Sequence, residues 1–180
     1  MKGVRIPKDR IGVLIGRDGE TKRYIEERSK VKIQIDAEGE VLFDDSKIED
    51  PLMQLKIMDV LKAIGRGFSP HHAYRLFDDD EYFELIEMDD YVGKKSEQLQ
   101  RVRARLIGSG GKTRRIIEEM SGANLSIYGS TVAIIGNSVQ MPVARTAVDM
   151  ILSGSEHATV YRFLERSRGT LRIAEMGFDP

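Results

Sequence analysis

RLIGSGGKTRRIIEEMSG, residues Arg105 to Gly122, reads as the end of one helix, a turn at Gly108-Ser109-Gly110-Gly111, and a second helix opening on Lys112 and carrying Ile116, Ile117 and Met120. Three glycines in four positions permit backbone angles closed to other residues and leave no Cβ wall before an approaching group. An anion suits such a place, because the first amides of a helix lack intrahelical partners and stand at the positive end of its dipole. Arg101, Arg103, Arg105, Lys112, Arg114 and Arg115 surround the turn, with no acidic residue from Leu99 to Arg115. GGKT also invites comparison with the phosphate loop of nucleotide hydrolases. That loop needs a glycine where Leu106 stands, and RVRAR ahead of the turn is no buried apolar strand.

Moving the chain against itself by 92 positions lays LIGRDGETKRYIEERS (Leu14 to Ser29) on LIGSGGKTRRIIEEMS (Leu106 to Ser121) without a gap, and the match runs on to Ser46 over Ser138. A repeat of this length means two copies of one folding unit. A GxxG between two short helices, followed by strand, turn, strand and long helix, resembles the KH domain of RNA-binding proteins. The resemblance implies an α+β fold: two tandem type I KH domains of βααββα order, each a three-stranded sheet covered by helices, plus an additional C-terminal helix. The expected divisions are a first KH domain over 1–68, an acidic helical connector over 69–81, a second KH domain over 82–154, and a C-terminal helix and tail over 155–180.

By the same resemblance, a GxxG turn holds the backbone of a four-nucleotide single strand while an apolar groove receives its bases. The expected main site is then Gly108, Ser109, Gly110, Gly111, Lys112, Arg114 and Arg115, with Arg101, Arg103 and Arg105 adding charge. Amides of Ser109, Gly110 and Gly111 would meet phosphates, and bases would lie over Ile107, Ile117, Leu125 and Ile127. The first turn, Gly16-Arg17-Asp18-Gly19 with Lys22 and Arg23, is a secondary site. Asp18 and Glu20 place like charge where a phosphate would lie, so weaker binding or a packing role is expected there.

In chain order, Lys2 to Ile6 reads as a strand, Arg10 to Ile15 and Glu20 to Ser29 as helices, and Val31 to Ile35 and Val41 to Phe43 as a strand pair. Tyr24 and Ile25 are expected on the buried side. Asp50-Pro51 starts a helix with Leu52, Leu55, Met58 and Leu61 along one face, ending at Gly65. Ser69 caps a short helix before Pro70. His71 and His72 are neighbours on that helix and diverge by about 100°, with no third ligand nearby, which favours a surface or packing role over metal. Tyr82 to Met88 alternates as a strand. A helix follows over Gln98 to Ile107 with Val102 and Leu106 inward, then a hairpin of Asn124 to Tyr128 with Thr131 to Ile135. A long helix capped by Ser138 carries Val143, Ala147 and Ile151 inside. Glu156 to Arg168 adds a helix whose apolar side, Val160, Phe163 and Leu164, is expected to dock across the two units.

The chain of 180 residues has no cysteine, which removes disulfides, thiolate zinc sites and cysteine nucleophiles. No apolar run approaches the roughly 18 to 20 residues of a membrane span, and MKGVRIPKDR lacks a signal-peptide core, so a cytoplasmic location away from membranes is expected. The net charge is −1, yet residues 1–90 hold 15 Lys+Arg against 21 Asp+Glu while residues 91–180 hold 13 against 8. Much of the acid lies in DDDEYFELIEMDD, Asp78 to Asp90, which contains no base. That run reads as a solvated face, or as a patch that repels RNA or docks a basic protein. There is no carboxylate pair, nucleophile with its base or metal cluster, so no enzyme and no cofactor is expected. Asp18 with Glu20, and Glu118 with Glu119, read as helix-surface acids.

The acidic segment GFSPHHAYRLFDDDEYFELIEMDD, the signature RLIGSGGKTRRIIEEMSGANLSI, then VARTAVDMILSG and VYRFLERSR together resemble the partner-of-Nob-one family, also called the Dim-two family, in its archaeal type. The resemblance covers nearly the whole chain and is strongest from Ala104 to Leu164. It implies single-stranded RNA binding near the 3′ end of small-subunit rRNA during ribosome assembly, beside the rRNA-processing endonuclease or other ribosome-assembly or translation proteins. The chain is expected to act as a monomer. The alternatives are a general KH RNA-binding regulator and a protein scaffold. Eukaryotic members have a degraded first GxxG, whereas Gly16 and Gly19 stand here.

Overall fold

Each copy of the repeat begins with a strand that its own later hairpin completes. The structure, a computed structural model, describes residues 1–177. In the first unit, Met1–Asp79, β1 (Lys2–Arg5) is followed by α1 (Ile11–Ile15), α2 (Glu20–Ser29), β2 (Ile33–Ile35), β3 (Glu40–Phe43), α3 (Pro51–Gly65) and α4 (Pro70–Ala73). The sheet is antiparallel in the order β1-β3-β2, with Val4 opposite Val41 and Ile33 opposite Phe43. Asp50 caps α3 by accepting from the Leu52 amide at 2.9 Å, ahead of Pro51, whose missing N–H costs nothing in a first turn.

The inner face of α3 is not the one the leucine spacing suggests. Leu52 and Leu55 are 58% and 61% exposed, while Ile57, Val60, Leu61 and Ile64 are fully buried. The leucines lie in the first turns of the helix, and the buried stripe starts only at Ile57. Tyr24 is likewise corrected: it lies on the surface of α2 and stacks on Tyr74, ring centroids 4.0 Å apart, while Ile25 is buried as expected. Arg10 ties the start of α1 to the end of α3, donating from Nε to Ile64 O at 2.8 Å and from a terminal nitrogen to Phe68 O at 2.7 Å. Those carbonyls lie at a helix end, where intrahelical donors run out.

The second unit starts at Asp80. Its elements are β4 (Glu81–Glu87), α5 (Asp89–Val92), α6 (Ser96–Ile107), α7 (Lys112–Ser121), β5 (Asn124–Tyr128), β6 (Thr131–Asn137), α8 (Gln140–Leu152) and α9 (His157–Glu175). The sheet order β4-β6-β5 repeats that of the first unit, with Leu85 opposite Ala133 and Ile127 opposite Val132. Leu106, Ile117, Val132, Ile134, Ala147, Val148 and Ile151 form its core. Val160 and Leu164 of α9 are fully buried in that same core, so this face is satisfied within the second unit and the docking expected for it across the units is corrected. Asn137 opens α8 in place of Ser138. Its Oδ1 accepts from the amides of Val139 at 3.0 Å and Gln140 at 2.8 Å, while the Ser138 hydroxyl donates to Asp80 at 3.3 Å.

Candidate nucleic-acid interface

The turn after α6 is built by three left-handed glycines: Gly108 at φ 76°, Gly110 at φ 60° and Gly111 at φ 79°. A Cβ at Gly108 would overlap the backbone N and Oγ1 of Thr113, so space as well as angle demands glycine there. At Gly110 and Gly111 an added Cβ would meet open space, so only the angle matters. Ser109, Gly110 and Lys112 are exposed. The Gly111 amide donates to Gly108 O at 3.1 Å and the Lys112 amide to Ser109 O. Gly111 is therefore corrected as a phosphate donor. Within the turn, the Ser109 and Gly110 amides are the ones that find no hydrogen-bond acceptor among the described residues.

The six cations around the turn divide by what they touch. Arg105 donates to Ile151 O at 3.0 Å and to Ser155 O, fastening α6 to the end of α8. Arg114 pairs with Glu118 Oε1 at 2.8 Å. Arg101, Arg103, Lys112 and Arg115 make neither hydrogen bond nor ion pair among the described residues. Arg101 stands seven residues before Gly108, about 10 Å along the helix axis. With Arg105 it lines a hollow of about 680 Å³ whose rim also holds Asp90, Tyr91, Gln98 and Ser153. The unpaired charge beside the turn is thus that of Lys112 and Arg115 on α7, with Arg103 half-buried on α6.

Of the four apolar residues expected under bases, two are core. Ile117 is 0% and Leu125 is 4% exposed, too deep for a base to reach. Ile107 and Ile127 are half-buried and keep a surface to offer. Glu118, read as a surface acid, is corrected. It joins the helix to the strand, because its Oε2 accepts from the Leu125 amide at 3.0 Å while Oε1 holds Arg114. Glu26, its counterpart in the first copy, accepts from the Ile33 amide at 2.9 Å in the same way. The signal was present in the repeat, where Glu26 lies over Glu118 and Thr21 over Thr113.

Those threonines lie behind the two glycine turns. Thr113 is buried directly behind the turn, and its Oγ1 lies 3.0 Å from the Tyr161 hydroxyl of α9. Tyr161 stacks near-parallel with His157 at 6.0 Å, and His157 Nε2 sits 2.8 Å from Arg105 O. The first two turns of α9 thereby fix both helices that flank the glycines. In the first unit Thr21 is buried in the same place and its hydroxyl bonds Tyr74, whose phenol burial pushes above its ordinary pKa. Each unit thus sets a tyrosine from the helical segment following its KH-like core against the threonine behind its own turn.

The first turn copies the backbone but not the chemistry. Gly16, Asp18 and Gly19 have φ of 79°, 53° and 77°. Asp18 thus holds the left-handed place of Gly110, which acidic and amide side chains tolerate better than others. Arg23 donates to Asp18 O at 2.6 Å, and Glu20 opens α2 where Lys112 opens α7. Arg17 is exposed and Lys22 half-buried beside it. Among the described residues no group of three or more His, Asp or Glu side chains converges as a metal site, and no helix is long and apolar enough to cross a membrane.

In sequence and in fold the chain is similar to known proteins. A family model for the eukaryotic type KH-domain (KH-domain type I) matches residues 82–169, and one for the KH domain matches residues 2–49. The chain is 45% identical over 172 residues to a KH domain-containing protein of Methanocaldococcus jannaschii, covering 95% of this chain and 75% of that one. It is 28% identical over 139 residues to the pre-rRNA-processing protein pno1 of Schizosaccharomyces pombe, and spans only 58% of the yeast protein. The matching chain in a crystal structure of an a/eIF2alpha–aDim2p–rRNA complex from Pyrococcus horikoshii OT3 superposes with a TM-score of 0.85, at 52% identity and 93% coverage of each chain.

Proposed function

The chain belongs to the Dim2/PNO1 family of tandem KH-domain proteins, and on that premise we propose that it binds single-stranded RNA of the small ribosomal subunit, near the rRNA 3′ end, during assembly and pre-rRNA processing. The observation that carries the reading is the open turn at Ser109 and Gly110, with two unpaired amides at the head of a ten-residue helix and no acid in its first turn. A phosphate there meets N–H donors and the helix dipole together. Lys112 and Arg115 draw the strand in, and Ile107 and Ile127 offer apolar surface to its bases. No bond is made or broken, so the protein acts as a binding factor rather than an enzyme. The relatives' association with pre-rRNA processing, rRNA and a/eIF2alpha supports the same role here, in company with assembly or translation proteins.

Titration of fluorescent single-stranded RNA carrying the small-subunit 3′-terminal sequence tests this. Affinity should fall with salt at about −0.7 in log–log slope per phosphate contacted, and the same sequence in duplex form should bind at least tenfold more weakly. The double substitution Ser109→Asp, Gly110→Asp should abolish binding while leaving the far-ultraviolet circular dichroism unchanged. Equal affinity for duplex and single strand, or binding that survives the double substitution, would remove the turn from the mechanism.

A further inference from the structure

The acidic end of the second unit is untouched by the RNA reading, and it coincides with an open sheet edge. β4 is the outer strand of its sheet. The Met88 amide donates to Ser130 O at 2.8 Å, in register with Glu87 opposite Thr131, so the even-numbered residues of β4 bond inward to β6. Antiparallel alternation then turns the N–H and C=O groups of Phe83, Leu85 and Glu87 outward, and no hydrogen bond reaches them among the described residues. Leu85 is 44% and Tyr82 50% exposed on this edge. Between β4 and α8 lies a hollow of about 710 Å³, lined by Tyr82, Tyr91, Met141 and Pro142, with Glu84 and Asp149 among its polar groups.

Charge selects what could lie there. From Asp80 to Asp90 there are six acids and no base. Glu84 has a 3.4 Å pair with Arg145, and Asp149 accepts from the Tyr91 hydroxyl at 2.6 Å, but Glu87 and Asp90 are exposed without partners among the described residues. Asp89 has a carboxylate oxygen withdrawn from solvent that no donor among those residues meets. RNA would be repelled from such an edge, and two copies of it would set like charges opposite each other.

We propose that β4 is an acceptor edge for an extended basic segment of a partner protein. The segment adds as a fourth strand, with main-chain bonds to Phe83, Leu85 and Glu87. Its alternate apolar side chains enter the hollow beside Tyr82, and Lys or Arg residues face Glu87 and Asp90. Strand addition draws affinity from the main chain and selectivity from alternate side-chain pockets.

The test uses the full chain and a library of nonapeptides alternating Lys or Arg with Val, Leu or Phe, without RNA. The best peptides should bind with micromolar Kd and slow amide exchange at Phe83, Leu85 and Glu87. N-methylation of alternate peptide amides should weaken binding at least tenfold. Leu85→Pro, which removes an outward N–H that β6 does not use, should do the same, and Tyr82→Ala should cost about fivefold. Neither variant should alter RNA affinity by more than twofold. Failure of every peptide to bind overturns the proposal, as does binding indifferent to N-methylation, which would mean charge attraction alone. A β4-paired dimer in sedimentation that peptide cannot displace would make a second copy the occupant and overturn it equally.

Discussion

Gly110 and Asp18 hold the same place in two copies of one turn, at φ 60° and ψ 23° for the glycine and φ 53° and ψ 28° for the aspartate. The backbone therefore accepts a carboxylate there, and what separates the two turns is charge facing an incoming phosphate. At 4 to 5 Å, and between the dielectric of water and that of a protein surface, one such charge is worth about 1 to 4 kcal/mol. Gly110→Asp alone should thus weaken RNA binding about tenfold or more, at a stability cost of about 1 kcal/mol for the left-handed angle. Asp18→Gly, in a chain whose second turn carries Ser109→Asp and Gly110→Asp, should restore measurable binding. Fluorescence anisotropy with a short single strand reads both. Equal affinities for the unmodified chain and the Gly110→Asp variant would show that the site lies elsewhere. The turn was legible in the sequence because glycine angles are local properties. Ile117 and Leu125 were misread because periodicity gives a face to a helix or strand but does not say which later helix covers it. Here α8 and α9 do.

At the scale of elements, α9 is what the repeat does not contain and what the second turn leans on. Tyr161→Phe removes the hydroxyl facing Thr113 and leaves a buried polar atom unsatisfied, which costs about 1 to 3 kcal/mol. Thermal unfolding should show that loss. Because Thr113 backs Gly108, RNA affinity should also fall about threefold, with the loss appearing in the dissociation rate. A fall in melting temperature with unchanged RNA kinetics would reduce the contact to packing. Helix α3 supplies a second case. Burial holds the Asp59 carboxyl above its ordinary pKa, with Lys62 opposing only in part. A carboxyl whose folded pKa is raised destabilises the fold when it ionises, so stability contributed below about 3.9, the unfolded value, is lost as pH rises through the folded pKa. Asp59→Asn should therefore raise the melting temperature at pH 7 and leave it nearly unchanged at pH 3. An equal gain at both values would point to helix propensity instead. Sequence could place Asp59 on a helix but could not show that it is half-buried there, just as it could not tell exposed Leu52 from buried Ile57 on the same element.

Across the whole molecule the charge is arranged within the second unit rather than between the two. Divided at residue 90, the halves look acidic and basic. Divided where the fold divides, residues 1–79 carry 15 Lys+Arg and 15 Asp+Glu, and residues 80–180 carry 13 and 14. The asymmetry is between β4 with α5 and the α6–α7 turn, two regions of one unit. It follows that residues 80–180, which include α9, hold all the groups assigned to RNA at the second turn. This fragment should fold alone and bind a four-nucleotide strand within about threefold of the full chain. On a longer strand the tether makes any second engagement intramolecular, and affinity rises only if the first turn contributes. With Asp18 and Glu20 in place, the full chain should gain less than about threefold over the fragment. With Asp18→Gly and Glu20→Lys the gain should exceed about tenfold on the long strand and vanish on the short one. Isothermal titration of both proteins with both RNAs measures the four affinities directly. A large long-strand gain in the unmodified chain would mean that the first turn already grips RNA despite its acids, and that the positive end of α2 with Arg17, Lys22 and Arg23 outweighs them.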